Sequence, residues 1–507
     1  MKRLYVKALR VLAMSAFAVG GLNLVGGAFA ADPLVIVVSE EPSSLDPCDT
    51  NTSATSRILR NNVTETLVNV DPTDGSIVAN LATEWSQVSP TTWRFKLHSG
   101  VTFQDGTPFT ASAVAKALAR AQLEPLACAI RGSKLGTNPF TSNVVDDLTI
   151  EITGERPDPA IPYRMAILDI GSPATSDTER TRTPIGTGPY KLAAWNQGQD
   201  VTLTAYDGYW GDKPQVTDVR FVWRGESSVR AAMVDTGEAS LAFGIAPQDA
   251  TSSLDKTYLN SEATFIRLDT RLAPLDDIRV RRAANLAIDR DALIGTVFSK
   301  DVQKSTQLNV PSIVGHSPNI EPWPYDPEQA MTLLAEAKAD GVPVDAEIVL
   351  HGRLGLYPNS TESLEAIQAM LQAVGFNVRV QMMEVKTWLE HLLKPFDDET
   401  QPNMLQSQSD NALGDSVFTI APKFRSDGNQ ATISDPKLDA MIDKAATLTG
   451  DERRRTYEEA YEYMAEEIVP YIDLFYMVGI VRVAENVDYT PDVQANNEIK
   501  LRSIKLR

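Results

Sequence analysis

Hydrophobic and polar positions change their period along the chain. Leu34–Val38 is an unbroken, largely β-branched run, which predicts a strand covered on both faces. Thr92–Leu97 and Thr149–Thr153 alternate large apolar with polar residues, as half-buried strands do. Val201–Thr204, Asp218–Trp223 and Thr264–Leu268 predict further strands. Thr110 stands as an N-cap before the helix-forming run Ala111–Ala121.

Beyond Leu275 the period lengthens to that of amphipathic helices. Asp277–Asp289 carries Ile278, Ala283, Leu286 and Ile288 with arginines between them. Asp326-Pro327-Glu328-Gln329 supplies a cap, a first-turn proline and a glutamine three residues after the cap, and Gly341 ends that helix. Leu364, Ile367, Leu371 and Val374 form one stripe of Glu362–Val374, closed by Gly375. Phe376–Met382 alternates as a strand. Asp435-Pro436 and Asp451 open two more helices, and Val469–Tyr476 and Ile499–Leu506 return to extended patterns. A chain ordered in this way leaves one lobe, builds a second and comes back. Two crossing segments make a hinge with one main bending direction.

The 507 residues have a 43% hydrophobic share, room for two or three domains with sizeable cores. Lys2, Arg3, Lys7 and Arg10 precede the apolar stretch Val11–Leu24, and Ala28-Phe29-Ala30 is the small-x-small pattern that a signal peptidase reads. The stretch is shorter than the roughly 20 residues of a membrane span, and no cysteine marks a lipid anchor. Export to the periplasm through a cleavable signal is therefore expected. Loss of residues 1–30, with four basic and no acidic residues, takes the formal charge from −20 to −24. That charge argues against nucleic acid or an anionic membrane surface as partner. Export permits a Cys48–Cys128 bridge, and two buried thiols fit the sequence as well.

Several blocks occur in one order: Ser44-Leu45-Asp46-Pro47, Glu65-Thr66-Leu67, Leu81-Ala82-Thr83-Glu84-Trp85, Trp93-Arg94-Phe95-Lys96-Leu97 with Gly100-Val101-Thr102-Phe103 and Asp105-Gly106-Thr107-Pro108, then Gly186-Thr187-Gly188-Pro189-Tyr190, Tyr209-Trp210-Gly211, and Val280-Arg281-Arg282-Ala283 with Ala287-Ile288-Asp289-Arg290. With them the chain resembles the family 5 (peptide/dipeptide/nickel-type) extracellular solute-binding proteins of bacterial ABC importers. The resemblance implies an α/β, periplasmic binding protein-like fold, with two lobes of mixed sheets, a two-segment hinge and an extra subdomain in the N-terminal lobe. Residues 1–30 would be the signal peptide. Residues 31–75, 185–268 and 480–507 would form lobe I, 76–184 its subdomain, and 269–479 lobe II. The motifs themselves read as architecture: Asp105–Pro108 as a turn, Gly186 and Gly188 as a close backbone passage, and Arg279–Arg282 as solvated or ion-paired charges.

No catalytic motif is present. The four histidines, His98, His316, His351 and His391, lack metal-ligand spacing, and there is neither a GxSxG elbow nor a CxxC. A binding protein without cofactor or metal of its own is expected, acting as a monomer with a small solute (a peptide, or alternatively an opine, sugar conjugate or metal chelate) and an ABC permease in the inner membrane; an exported α/β enzyme is the less favoured alternative. The resemblance implies ligand contact in four regions. Their candidates are Asn51, Thr52 and Thr55 after the first motif, Asp269 and Arg271 at the first crossover, Arg353 and Tyr357, and Asp410, Asn411 and Asp415 in a late loop. Arg353 matches an arginine that holds a ligand carboxylate in dipeptide-binding relatives, and the late loop an aspartate that meets the ligand amine. Asn411, Ala412 and Ser416 make that loop more polar and less aromatic than in relatives, which suits an opine or sugar conjugate as well as a peptide.

Overall fold

The computed structural model describes residues 33–133, 135, 139–396 and 400–507. The expected signal segment, residues 1–30, lies outside them. Leu34–Val38 runs parallel to both Asp218–Trp223 and Leu241–Phe243, which explains its continuous apolar character.

One mixed sheet of eleven strands passes through the molecule. Its middle is formed by two long antiparallel strands, Asp255–Leu268 and Tyr471–Val483, paired from Asp255 opposite Arg482 to Arg267 opposite Tyr471. At one end lie Leu241–Phe243, Leu34–Val38, Asp218–Trp223, Asp200–Ala205 and Tyr190–Asn196. At the other lie Asn403–Asp410, Ile348–Arg353 and Val378–Met383. Each end has its own core, around Ile36, Phe221 and Phe243 in the first half and around Ile266, Leu350 and Phe475 in the second. The mixed sheets expected for two lobes are thus one ladder, joined through the crossing strands.

A separate four-stranded sheet, ordered Ala82–Ser89, Thr92–Leu97, Thr149–Gly154 and Phe140–Asp146, is packed by the helix Ala111–Ala121. Phe95, Leu97, Ile150, Ile152, Val114 and Leu118 fill the layer between them. The Cys48–Cys128 disulfide ties this layer to the first motif, with the two Cα atoms 5.3 Å apart. Asp46 of that motif accepts two hydrogen bonds of 2.7 Å from Arg120.

Three of the motif blocks converge on one buried carboxylate. Glu65 accepts from Tyr209 Oη at 2.9 Å, Trp210 Nε1 at 2.9 Å and Thr187 Oγ1 at 2.8 Å. A Cβ on Gly186 or Gly188 would overlap the backbone of Asn62–Thr64, so the close passage is real. Two expectations fail. Arg281 is not solvated: it is buried and donates to the carbonyls of Ile468, Leu275 and Asp276. The tail Ile499–Leu506 forms a 3-10 turn at Leu501–Ser503 and only a two-residue strand, Lys505–Leu506, because its apolar residues plug the first half's core.

Candidate functional site

The ladder between the two crossing strands breaks between Leu259 and Ala263. Leu259 faces Val478 and Ala263 faces Tyr476, so three residues, Asn260, Ser261 and Glu262, stand opposite Met477 alone. Such a bulge re-aims side chains. Here it turns Asn260 and Glu262 into a cavity of about 150 Å³ that is open to solvent. Gly244, Ile245 and Pro247 of the first half line it, as do Val297, Phe298, Ser299 and Tyr357 of the second and Asn496 near the C-terminus. A smaller cavity lies next along that C-terminal segment, between Arg60, Asn69, Gln494, Asn497 and Glu498 on one side and Ala412 on the other.

The halves are in contact beyond this cleft. A Cβ on Gly414 would sit 2.6 Å from Val70 Cγ1 and 3.2 Å from Tyr163 Cε1. The Arg164 guanidinium lies 5.1 Å from the centre of the Phe418 ring, and Leu413 packs into the core of the four-stranded layer. The halves therefore touch at the Gly414 loop as well as along the crossing strands.

Glu262 is the charged residue lining the main cavity, and Asp410 and Arg57 act on it electrostatically from outside that lining. Glu262 Oε2 accepts from Gln408 Nε2 at 2.8 Å and from Asn260 Nδ2 at 3.3 Å. Burial, reinforced by the charge of Asp410 and opposed by Arg57 and the two amides, pushes its carboxyl up to about 7. Arg57 donates from Nε to the Asn496 carbonyl at 2.6 Å, and Tyr258 Oη donates to Asn496 Oδ1 at 2.8 Å. Burial lowers the Arg57 pKa below its ordinary value.

The structure distributes the residues expected from sequence. Tyr357 lines the main cavity, its hydroxyl held by Gln406 at 2.8 Å and Ser363 at 3.0 Å. Asp410 is exposed and lies opposite Glu262 in the sheet register. The other candidates are not gathered there. Thr55 is buried and donates to the Ser44 carbonyl, while Thr52 donates to the Asp49 carbonyl beside a first-half groove containing Arg180, Arg182 and Trp195. Asn51, half-buried, precedes them. Asp269 and Arg271 pair with each other at 2.6 and 2.8 Å, with Asn403 also bonded to Asp269. Arg353 lies over the Trp388 ring at 5.5 Å and does not line either cavity. Asn411 is buried, bonding the carbonyls of Ser261 and Leu308 and accepting from Thr419. Asp415 is buried against Arg453 at 2.7 Å and accepts from the Val417 amide.

Sequence reasoning missed Glu262, Arg57, Asn260 and the segment Gln494–Glu498. A signal existed for two of them, since Asn260-Ser261-Glu262 is a polar interruption just before an alternating strand. His351 stacks on His391 at 4.3 Å, and burial first, then His391, lowers its imidazole to about 4. Among the described residues no group of three or more His, Cys, Asp or Glu could hold a metal ion, and no helix is long and apolar enough to cross a membrane.

Residues 76–429 match the bacterial extracellular solute-binding proteins, family 5, middle region. The chain belongs to this family. It is a solute-binding protein of an ABC transporter, and its relatives are transport receptors rather than enzymes. It is 29% identical over 476 residues to the glutathione-binding protein GsiB of Salmonella paratyphi A, covering 88% of this chain and 89% of that one. Among solved structures, the periplasmic binding protein DppA of Helicobacter pylori in complex with the peptide STSA superposes with a TM-score of 0.74 at 22% identity, covering 93% and 98% of the two chains. The binding protein AgaA of A. tumefaciens R10 in complex with agropinic acid gives 0.74 at 21%, covering 94% and 99%. These likenesses show the periplasmic binding protein fold.

Proposed function

We propose that this family 5 protein captures a peptide or peptide-sized polar solute in the cleft between its halves and hands it to an inner-membrane ABC permease. The observation that carries the reading is the cavity at the bulged crossing strands, which takes walls from both halves and sets the acid Glu262 beside the amides of Asn260 and Asn496. A solute touching both walls favours the closed form by its differential affinity. Residues 31–75, 185–268 and 480–507 form one lobe in this reading, with 76–184 as its subdomain, and 269–479 form the other. The glutathione-binding and peptide-bound relatives support a peptide-type solute. Asn260, Gln408 and Asn496 around the charges suit the hydroxyls of an opine too, as the agropinic acid complex does for its own protein.

A thermal-shift screen of short peptides, glutathione and opines tests this. A true solute raises Tm by mass action, by an amount equivalent to about 2.7 kcal/mol at a hundredfold excess over Kd. A screen in which only hydrophobic or cationic solutes without a carboxylate bind would overturn the reading. Native mass spectrometry of freshly purified protein would weigh any solute retained from the cell.

A further inference from the structure

The ladder of crossing strands has two faces, and the halves of the molecule are arranged differently on each. Thr257 stands opposite Ile480 and Tyr258 opposite Gly479, so Thr257 and Ile480 share one face and Tyr258 takes the other. On the Tyr258 face the halves meet. Tyr258 Oη donates to Asn496 Oδ1 at 2.8 Å, Gln494 Nε2 of the same segment donates to the Val70 carbonyl at 3.0 Å, and Val70 lies against the Gly414 loop.

On the Thr257 face the halves stand apart. A groove of about 520 Å³, open to solvent, runs there between Pro247, Gln248 and Ala250 of the first half and Gly295–Asp301 of the second, with Thr257 and Ile480 on its floor. It adjoins the cavity at the break, with which it shares Pro247, Phe298 and Ile480. Both walls are pinned. Arg482 holds the first, donating to the Asp249 carbonyl at 2.9 Å while it pairs with Asp255 and Asp235 at 2.7 Å each. Asn359 Nδ2 holds the second through the Val297 carbonyl at 2.8 Å, and Thr257 Oγ1 reaches Asp301 Oδ2 from the floor at 3.0 Å.

Two firm bodies joined by a ladder cannot part on one of its faces without approaching on the other. A rotation that separates Gly75 from Gly414 therefore drives the turn at Pro247–Ala250 toward the loop Gly295–Asp301. The groove is the space which that rotation consumes. Packed protein resists compression, so side chains that fill the groove oppose the parting of the halves.

We propose that this groove is a counter-site to the cleft: the side chains bordering it, Thr257 on the floor and Gln248 on the first wall, are positioning residues that set how readily the halves part, and with it the affinity for a solute they never touch. This rests on the capture reading above and says what limits its affinity. A protein that spends part of its time with the halves apart binds more weakly by the fraction of molecules not yet in the binding arrangement. Filling the groove raises that fraction without adding a contact to the solute.

Thr257→Phe and Gln248→Trp, both at exposed positions, fill the groove from the floor and from the wall. Each variant and wild type are stripped of solute by unfolding and refolding without reductant. Small-angle scattering of the stripped variants should give a smaller radius of gyration than stripped wild type. Titration calorimetry with glutathione and trialanine should give a Kd lower by about tenfold, the factor by which the binding-competent population rises. An unchanged or larger radius, or unchanged or weaker binding, overturns the inference, and a change in Tm alone counts as such a failure. The two substitutions act from independent positions, so either one that folds decides. If neither peptide binds wild type, the peptide reading fails, and the solute-free radius still decides about the groove: a smaller one supports the inference and an equal or larger one overturns it.

Discussion

The carbonyl oxygen of Gly75 lies 3.0 Å from where a Cβ on Gly414 would be, so the two halves of the molecule meet backbone to backbone. Gly75 belongs to the hairpin of the first half, Gly414 to the loop that follows Asn403–Asp410 in the second. Both have positive φ, 73° and 76°, and the converse contact, from a Cβ on Gly75 to the Gly414 carbonyl, would be 2.8 Å.

Gly414→Ala should therefore hold the protein open. It is strained locally, by roughly 1 kcal/mol for an L side chain in this region, and it also collides with Val70 and Gly75 only when the halves close. Solute affinity should fall about tenfold, the factor by which the closed population drops. Small-angle scattering should show a larger radius of gyration with solute present. An unchanged affinity would show that closure does not pass through this contact.

The disulfide closes a loop with a sequence separation of 80. Loop-closure entropy for that length gives about 4.5 kcal/mol as an upper figure, and measured losses are commonly about 2–4. The double variant Cys48→Ser/Cys128→Ser should lower the free energy of unfolding in urea by that amount. Reductant should do the same to wild type and nothing to the variant.

Asp415 serves the loop before it serves any ligand. Its carboxylate is fully buried, bound twice by Arg453 and also capping the helix that starts at Val417. Asp415→Asn leaves Arg453 buried without its counter-charge and should cost about 3–5 kcal/mol of stability. A variant with normal Tm and weakened binding would instead place Asp415 on the solute.

Asp473 lies in the second crossing strand with one carboxylate oxygen buried and unbonded. Burial, partly opposed by Arg290, raises its pKa from 3.8 to about 7. The folded state then holds a proton that the unfolded state has released, so this group's stabilising contribution is complete below pH 3.8 and is lost as pH rises through about 7. Asp473→Asn should raise Tm most at pH 8 and progressively less as pH falls through 5 toward 3.8. A uniform shift across these values would mean that Asp473 does not titrate in this range.

Much of the architecture was legible in the sequence because it is written in local chemistry. Asp326 and Asp435 each precede a proline, and both cap helices as expected, accepting from Gln329 and Leu438. The strand Leu34–Val38 announced its double burial by composition alone. The cleft was harder to read. Thr55, Asn411 and Asp415 look like ligand groups in sequence because they are polar and lie in loops, yet their hydrogen bonds are spent on the chain itself. Glu262 looked like an ordinary strand residue because its setting depends on Asp410 and Arg57, about 150 and 200 positions away in the chain. Alternation marks which face a residue takes, whereas an unneutralised charge is visible only once its neighbours are known.

Both cavities of the cleft draw on Gln494–Glu498, a segment near the end of a 507-residue chain. The binding space consequently draws both on the crossing strands and on a segment that follows them in the chain. Substitutions in that segment can retune what is held while the sheet beneath keeps its shape.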